Sequence, residues 1–152
     1  MFNLRTLTNP SSHKALGIGL VLAISFSACS DPIPPTSRAS NALTYTGKGD
    51  AVKGRLVFDD QCQTCHSLQV GHNNKGPQLL GIYGANAALL AEYQPRYSNV
   101  LKHSGWVWND HTLDTYITSP KKALQGSKML YDGLPSQQDR DNVIAYLATL
   151  NH

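Results

Sequence analysis

Five consecutive residues carry a chemical signature: Cys62-Gln63-Thr64-Cys65-His66. The spacing C-x-x-C-H is the one used to attach a c-type haem covalently. Two thiols three positions apart can reach the two vinyl-derived carbons on one edge of a porphyrin. A His directly after the second Cys then brings its imidazole under the iron as proximal ligand. A bare thiol redox pair and half of a zinc site share the C-x-x-C element. A zinc site wants a second ligand pair, and no other Cys lies nearby. A redox pair has no use for a His at this spacing.

A haem iron bound by His66 has a second axial position to fill. The chain has two Met. Met1 is the initiator and leaves with the export signal described below, so Met129 is the only thioether of the mature chain. A lone Met is commonly core filler, but Met129 ends an irregular run, Ser119-Pro120-Lys121-Lys122-Ala123-Leu124-Gln125-Gly126-Ser127-Lys128-Met129, rather than lying on a helical stripe. His72, His103, His111 and His152 are its rivals for a bis-His iron, each reading chiefly as a solvated loop residue.

These residues sit in a chain of 152 residues with a formal net charge of +3, enough for one compact domain. No charge run or basic stripe argues for nucleic acid. The third of its three cysteines, Cys29, lies far upstream, so no disulfide framework is expected. Residues 1–28 read as an export signal: Arg5 and Lys14 give a positive start, Ala15 to Phe26 is apolar, and small residues lead to Cys29. As a helix the apolar run is roughly 18 Å long, short of a hydrocarbon core of about 30 Å. Phe26-Ser27-Ala28-Cys29 resembles a bacterial lipobox with Phe in place of the usual Leu, which makes Cys29 a candidate for lipidation and a membrane anchor. Ordinary signal cleavage near Ala28 is the alternative. Residues 29–46, Pro- and Ser-rich, read as a tether spanning on the order of 20–25 Å if flexible and about 50 Å if extended. The domain proper is expected over residues 47–152.

Within it, Gly49 to Gln61 predicts a helix leading into the C-x-x-C-H. Val52, Leu56 and Val57 share one face and Gly54 and Phe58 another. Near the C-terminus, Ser136 is an N-cap with Asp139 in the first turn, and Val143, Ile144, Leu147 and Leu150 form a stripe beside Tyr146. The two helices are expected to cross with Gly54 and Phe58 meeting Tyr146, since a Gly inside a helix is tolerated where another backbone must come close. Between them, the Gly76-Pro77 loop offers a carbonyl that could take Nδ1–H of His66 and fix the ring. Ala85 to Glu92 predicts a short helix. Asn109 or Asp110 caps another that turns Leu113, Tyr116 and Ile117 inward and is stopped by Pro120. Tyr97, Trp106 and Trp108 lie in the intervening loop. A buried phenol or indole there wants a partner for its O–H or N–H, and a haem propionate would serve.

From about residue 47 to 150 the chain resembles class I c-type cytochromes of the mitochondrial cytochrome c and bacterial cytochrome c2 kind. The resemblance is carried by Gly54, Phe58, Cys62, Cys65, His66, Gly76-Pro77 with the following Leu-Leu-Gly, Tyr97, Ser98, Trp108, Tyr116, Pro120-Lys121-Lys122 through Met129, and Ile144 to Leu147. It implies an all-α fold of three to five helices around one covalently attached haem c, the N- and C-terminal helices crossing. It implies His66 and Met129 as axial ligands, Tyr97 and Trp108 on a propionate with Ser98 and Ser127 nearby, and Tyr116 close to the Met sulfur. Two positions depart from the family: Ala85 where an Arg is frequent near a propionate, and Leu101 where mitochondrial members have Asn.

The function expected is one-electron transfer, not catalysis, by a lipid-anchored, periplasm-facing carrier between membrane-associated redox partners of a bacterial respiratory or photosynthetic chain. A quinol-oxidising complex, a terminal oxidase, a reaction centre or a dehydrogenase would all suit. The alternative is a haem enzyme or gas sensor with a labile Met ligand; a haem-free thiol protein stands third. Family members steer acidic partners with lysines, and Lys75, Lys121, Lys122 and Lys128 are the candidates here. From Lys48 onward the chain has ten basic and nine acidic residues, so any steering must come from a patch rather than from the total.

Overall fold

The computed structural model describes residue 33 and residues 43–151. The export signal, Cys29, most of the tether and His152 lie outside the described residues. Five α-helices follow in order: α1 (Ala51–Gln61), α2 (Asn99–Lys102), α3 (Asp110–Thr118), α4 (Pro120–Ala123) and α5 (Gln137–Thr149). The described residues contain no strand beyond a single antiparallel bridge between Asn86 and Val107.

Helix α1 starts where Asp50 accepts hydrogen bonds from the N–H groups of Val52 and Lys53, at 2.9 and 3.2 Å. Such a cap is worth about 1 kcal/mol. Helix α5 starts on Ser136, whose Oγ accepts from the Asp139 N–H at 3.2 Å. The two helices cross as the sequence suggests. A Cβ on Gly54 would lie 1.9 Å from the Asn142 carbonyl oxygen and 2.8 Å from Tyr146 Cβ, so only glycine permits this approach. The Phe58 and Tyr146 rings stack at a tilt, centroids 5.7 Å apart. Asn142, buried in α5, accepts the Asp50 N–H at 2.9 Å and so ties one helix to the other's cap.

Only the Gly54/Phe58 side of α1 is buried. Val52 and Leu56, expected to share an apolar face, are 79% and 67% exposed. Helical spacing put them on one face, but α5 lies on the other.

Residues 85–90 are not helical, contrary to expectation; only a 3-10 turn at Ala91–Tyr93 remains. The backbone there is committed to a partner some twenty residues on. Gly84 and Ala87 donate to the carbonyls of Trp108 and Trp106, and Trp108 donates back to Ala85. Ala88 has φ 56°, outside any right-handed helix. Helix α2, missed in the sequence, is a single turn capped by Ser98. Helix α3 is capped by Asn109, one of the two caps expected, through a capping box with Thr112. Pro120 ends α3 but also opens α4 as its first residue, where a missing N–H costs nothing.

Arg140 of α5 joins the C-terminal half together. It is buried, its Nε donates to Asp114 Oδ1 of α3 at 2.7 Å, and its Nη1 donates to the carbonyls of Leu134 and Pro135. Packing against the domain is seen from Tyr45, within the tether read from the sequence. Its hydroxyl accepts from the Gly49 N–H at 2.8 Å, and its ring meets Tyr83 edge-on.

Candidate haem site

The C-x-x-C-H follows directly from the end of α1. Cys62 is the helix cap, its N–H donating to Phe58 O. The chain then turns, so that the N–H groups of Cys65 and His66 both donate to Cys62 O, at 3.0 and 2.9 Å. This one turn brings His66 onto the same cavity as both cysteines. The loop carrying Gly76 and Pro77 is fastened back onto it: Gly76 N–H donates to Cys65 O, and Leu79 N–H to Ser67 O, each at 2.8 Å. His66 Nδ1 then sits 2.7 Å from Pro77 O. The acceptor is a carbonyl, so Nδ1 carries the proton, the tautomer in which Nε2 is the nitrogen that can ligate a metal. Gly76 is required by this packing, since a Cβ there would fall 2.2 Å from His66 Cε1.

Cys62, Cys65 and His66 open onto a cavity of about 400 Å³. Pro77, Tyr97, Ser98, Trp108, Tyr116 and Met129 line it as well. Every site residue proposed from the sequence is thus on its wall except Ser127 and, outside the described residues, Cys29. Ser127 stands behind the wall and is hydrogen-bonded to Tyr116 Oη at 2.6 Å. It also accepts the Met129 N–H at 3.3 Å. Tyr97 and Trp108 are buried; Trp106, half-buried, packs edge-on against Trp108 and Tyr116. Of the lysines, Lys75 and Lys128 border the cavity, Lys128 Nζ lying 3.4 Å from Tyr97 O, whereas Lys121 and Lys122 are exposed on α4. Leu101 lines the wall; Ala85 is buried with its backbone paired to Trp108.

The rival histidines separate cleanly. His72, His103 and His111 are exposed, and none lines the cavity. His103 instead faces the carbonyl of Asn99 at 2.8 Å.

Sequence reasoning missed several wall residues. Leu79, Ile82 and Leu134 supply apolar surface beside Leu113, which was expected to face inward, and Arg96 and Tyr131 line the cavity as well. Arg96 lies over the Tyr93 ring at 4.4 Å and donates to the carbonyls of Asn74 and Lys75. Its only sequence signal was its place directly before Tyr97.

The donor set fits a covalently held haem. Two thiols, one imidazole whose Nδ1 is committed to the Pro77 carbonyl and one thioether line a single, mainly apolar cavity. A reactive dithiol fits less well. Burial, and then the neighbouring Cys65, push the Cys62 thiol up to about 11, whereas thiol exchange relies on a lowered value. The fold and the cavity together define a small helical protein built around one haem.

Comparison with known proteins agrees. The family model described as Cytochrome c matches residues 51–151. The chain is 39% identical to cytochrome c of Euglena viridis over 102 residues, covering 67% of this chain and 98% of that protein. It is 40% identical over 117 residues to the cytochrome c-type cyt cy of Rhodobacter capsulatus, covering 77% of this chain and 56% of that one. The solved structure of cytochrome cH from Methylobacterium extorquens superposes with a TM-score of 0.58 at 36% identity, covering 66% of this chain and 99% of that chain. The chain belongs to the cytochrome c family. It binds one haem c covalently through Cys62 and Cys65 and is an electron carrier rather than an enzyme.

Proposed function

We propose that this is a lipid-anchored, periplasm-facing cytochrome that shuttles electrons between membrane-associated partners of a bacterial respiratory or photosynthetic chain, with His66 and Met129 as axial ligands. The observation that carries the ligand assignment is that His66 and Met129 line one cavity while His72, His103 and His111 lie outside it. When bound, the haem supplies a one-electron couple between ferric and ferrous iron. The chain does the rest. Pro77 O holds the His66 proton and with it the orientation of the ring. Ser127, fixed by Tyr116, sets the backbone from which Met129 projects. His66 and Met129 would hold the iron through an imidazole and a soft thioether, a donor pair that favours the reduced state. Tyr97, Ser98 and Trp108 form the polar part of the wall and suit a propionate. The apolar wall would keep water away from a haem held there.

The domain is proposed to hang from Cys29 on the tether of residues 29–46, once residues 1–28 have been removed. Two or more acyl chains on such a cysteine anchor stably where one does not. Lys75, Lys121, Lys122 and Lys128 are proposed to meet an acidic face of the partner.

Met129→Ala tests the ligand reading. The far-red absorption band of iron–thioether ligation should vanish in the oxidised protein and the midpoint potential should fall. An unchanged spectrum and potential would refute it. Growth with labelled palmitate tests the anchor: label in the wild type and none in Cys29→Ala is the expected result.

A further inference from the structure

The stretch from Lys128 to Gly133 carries Met129 and has no regular secondary structure. Besides the Met129 N–H bond to the preceding Ser127, two hydrogen bonds tie it, among the described residues, to more distant parts of the fold. Lys128 Nζ reaches Tyr97 O at 3.4 Å, and Tyr131 Oη donates to Gln61 Oε1 at 3.1 Å. The first is long and rests on a flexible, exposed side chain, so it holds little. The second is better built. Tyr131 is half-buried, its ring packs against the core, and both it and Gln61 line the cavity. Gln61 is the last residue of α1 and adjoins Cys62, a haem attachment point. Leu130, between Met129 and Tyr131, is 92% exposed. Met129 therefore lies between two fasteners, Ser127 on Tyr116 and Tyr131 on Gln61.

We propose that Tyr131 and Gln61 are positioning residues for Met129: their hydrogen bond latches the Met-bearing stretch to the end of α1 and sets how often the thioether leaves the metal. The proposal rests on the reading of Met129 as axial ligand. Two residues of chain span at most about 7 Å, so a withdrawal of the Met129 side chain by several ångströms drags on Tyr131. Opening must break the Tyr131–Gln61 bond or pivot wholly on the Ser127 side. A single hydrogen bond shifts such an equilibrium by roughly two- to tenfold. This one faces solvent, so the lower part of that range applies.

The test uses the full-length, haem-loaded ferric protein mixed with imidazole. At saturating imidazole the binding rate is limited by departure of Met129. Tyr131→Phe keeps the ring and removes the donor; Gln61→Ala removes the acceptor. Each is expected to raise the limiting rate about threefold, the double variant no more than either alone. Gln61→Glu, which keeps an acceptor oxygen, is expected to restore the wild-type rate. The denaturation midpoint should change little in any of them, which separates positioning from a general loss of structure. Wild-type rates in both single variants, or effects that simply multiply in the double, would overturn the latch. If the wild type itself lacks the far-red thioether band, the ligand assignment fails and the latch with it. If the band is present and the rates are unmoved, the latch alone fails.

Discussion

Nδ1 of His66 and the carbonyl oxygen of Pro77 are 2.7 Å apart, and the glycine between Pro77 and Lys75 is what lets them meet. Gly76 packs flat against the imidazole; a methyl group there would sit 2.2 Å from Cε1 and 2.6 Å from Nδ1. Neither side can yield cheaply. The ring is held by the turn after α1, and Gly76 N–H is bonded to Cys65 O. Gly76→Ala should thus displace the imidazole and lengthen its bond to Pro77. Overpacking of this kind costs about 1–3 kcal/mol. The expected result is a lower denaturation midpoint, a lower haem-to-protein ratio and an altered Soret band. A variant with wild-type spectrum and midpoint would show that the ring has room the geometry denies.

Gly54 sets two effects against each other. Replacing a helical glycine by alanine ordinarily stabilises by about 1 kcal/mol. Here the new Cβ would meet the Asn142 carbonyl at 1.9 Å, which is backbone and has no rotamer to change. The helices must separate, loosening Phe58 from Tyr146 and lengthening the bond from Asp50 N–H to Asn142. Overpacking outweighs propensity, and Gly54→Ala should destabilise by about 1–3 kcal/mol net. Denaturant unfolding gives the sign directly, and a stabilised variant would refute the close crossing.

Gly54, Phe58 and Tyr146 were legible in the sequence because helical spacing and a misplaced glycine are local signals. So were the Ser136 and Asn109 caps, and the Pro77 carbonyl, which lies only eleven positions from His66. What escaped reading depends on distant partners. Residues 85–90 have helix-compatible side chains, but their backbone pairs with Trp106 and Trp108. Val52 and Leu56 have the right spacing to be buried, and nothing in α1 itself says on which side α5 will lie. Arg140 owes its burial to Asp114 and to the Leu134 and Pro135 carbonyls, partners that its own helix does not specify. The iron-ligand candidates were legible in the sequence, since their chemistry restricts them to a few residue types. The apolar wall was not, since any loop leucine would serve.

Lysine steering is tested by ionic strength. Beyond the tether the charges nearly cancel, so an effect of salt would point to a local patch, and Lys75, Lys121, Lys122 and Lys128 are the one proposed. Lys121 and Lys122 are exposed on α4, and Lys75 and Lys128 border the cavity. Screening falls to about 10 Å at 0.1 M salt. Oxidation or reduction by an anionic iron complex should slow as salt is raised from about 0.01 to 0.1 M, and with a cationic ruthenium complex it should quicken. Lys121→Glu with Lys122→Glu should flatten both dependences. Rates indifferent to salt with both reagents would remove the patch from the account.

Tyr83 makes stability depend on alkaline pH. Its hydroxyl donates to Asp110 Oδ1 at 2.9 Å, and the ring is buried against Tyr45. Burial first, and then the hydrogen bond to Asp110, raise this phenol far above its ordinary range. In the unfolded chain it ionises near pH 10, while the folded protein keeps the proton well beyond. The resulting stability is complete below about pH 10 and is lost as pH rises above it, because unfolding then releases a proton. Tyr83→Phe keeps the ring and removes the titrating group. At neutral pH it should be less stable by about 0.5–1.5 kcal/mol, the worth of one hydrogen bond. Between about pH 10 and 12 its denaturation midpoint should decline less steeply than that of the wild type. Some slope will persist, since burial raises Tyr45 in the same direction. Parallel declines in the two proteins would show that Tyr83 ionises freely and that its bond to Asp110 does not hold the proton.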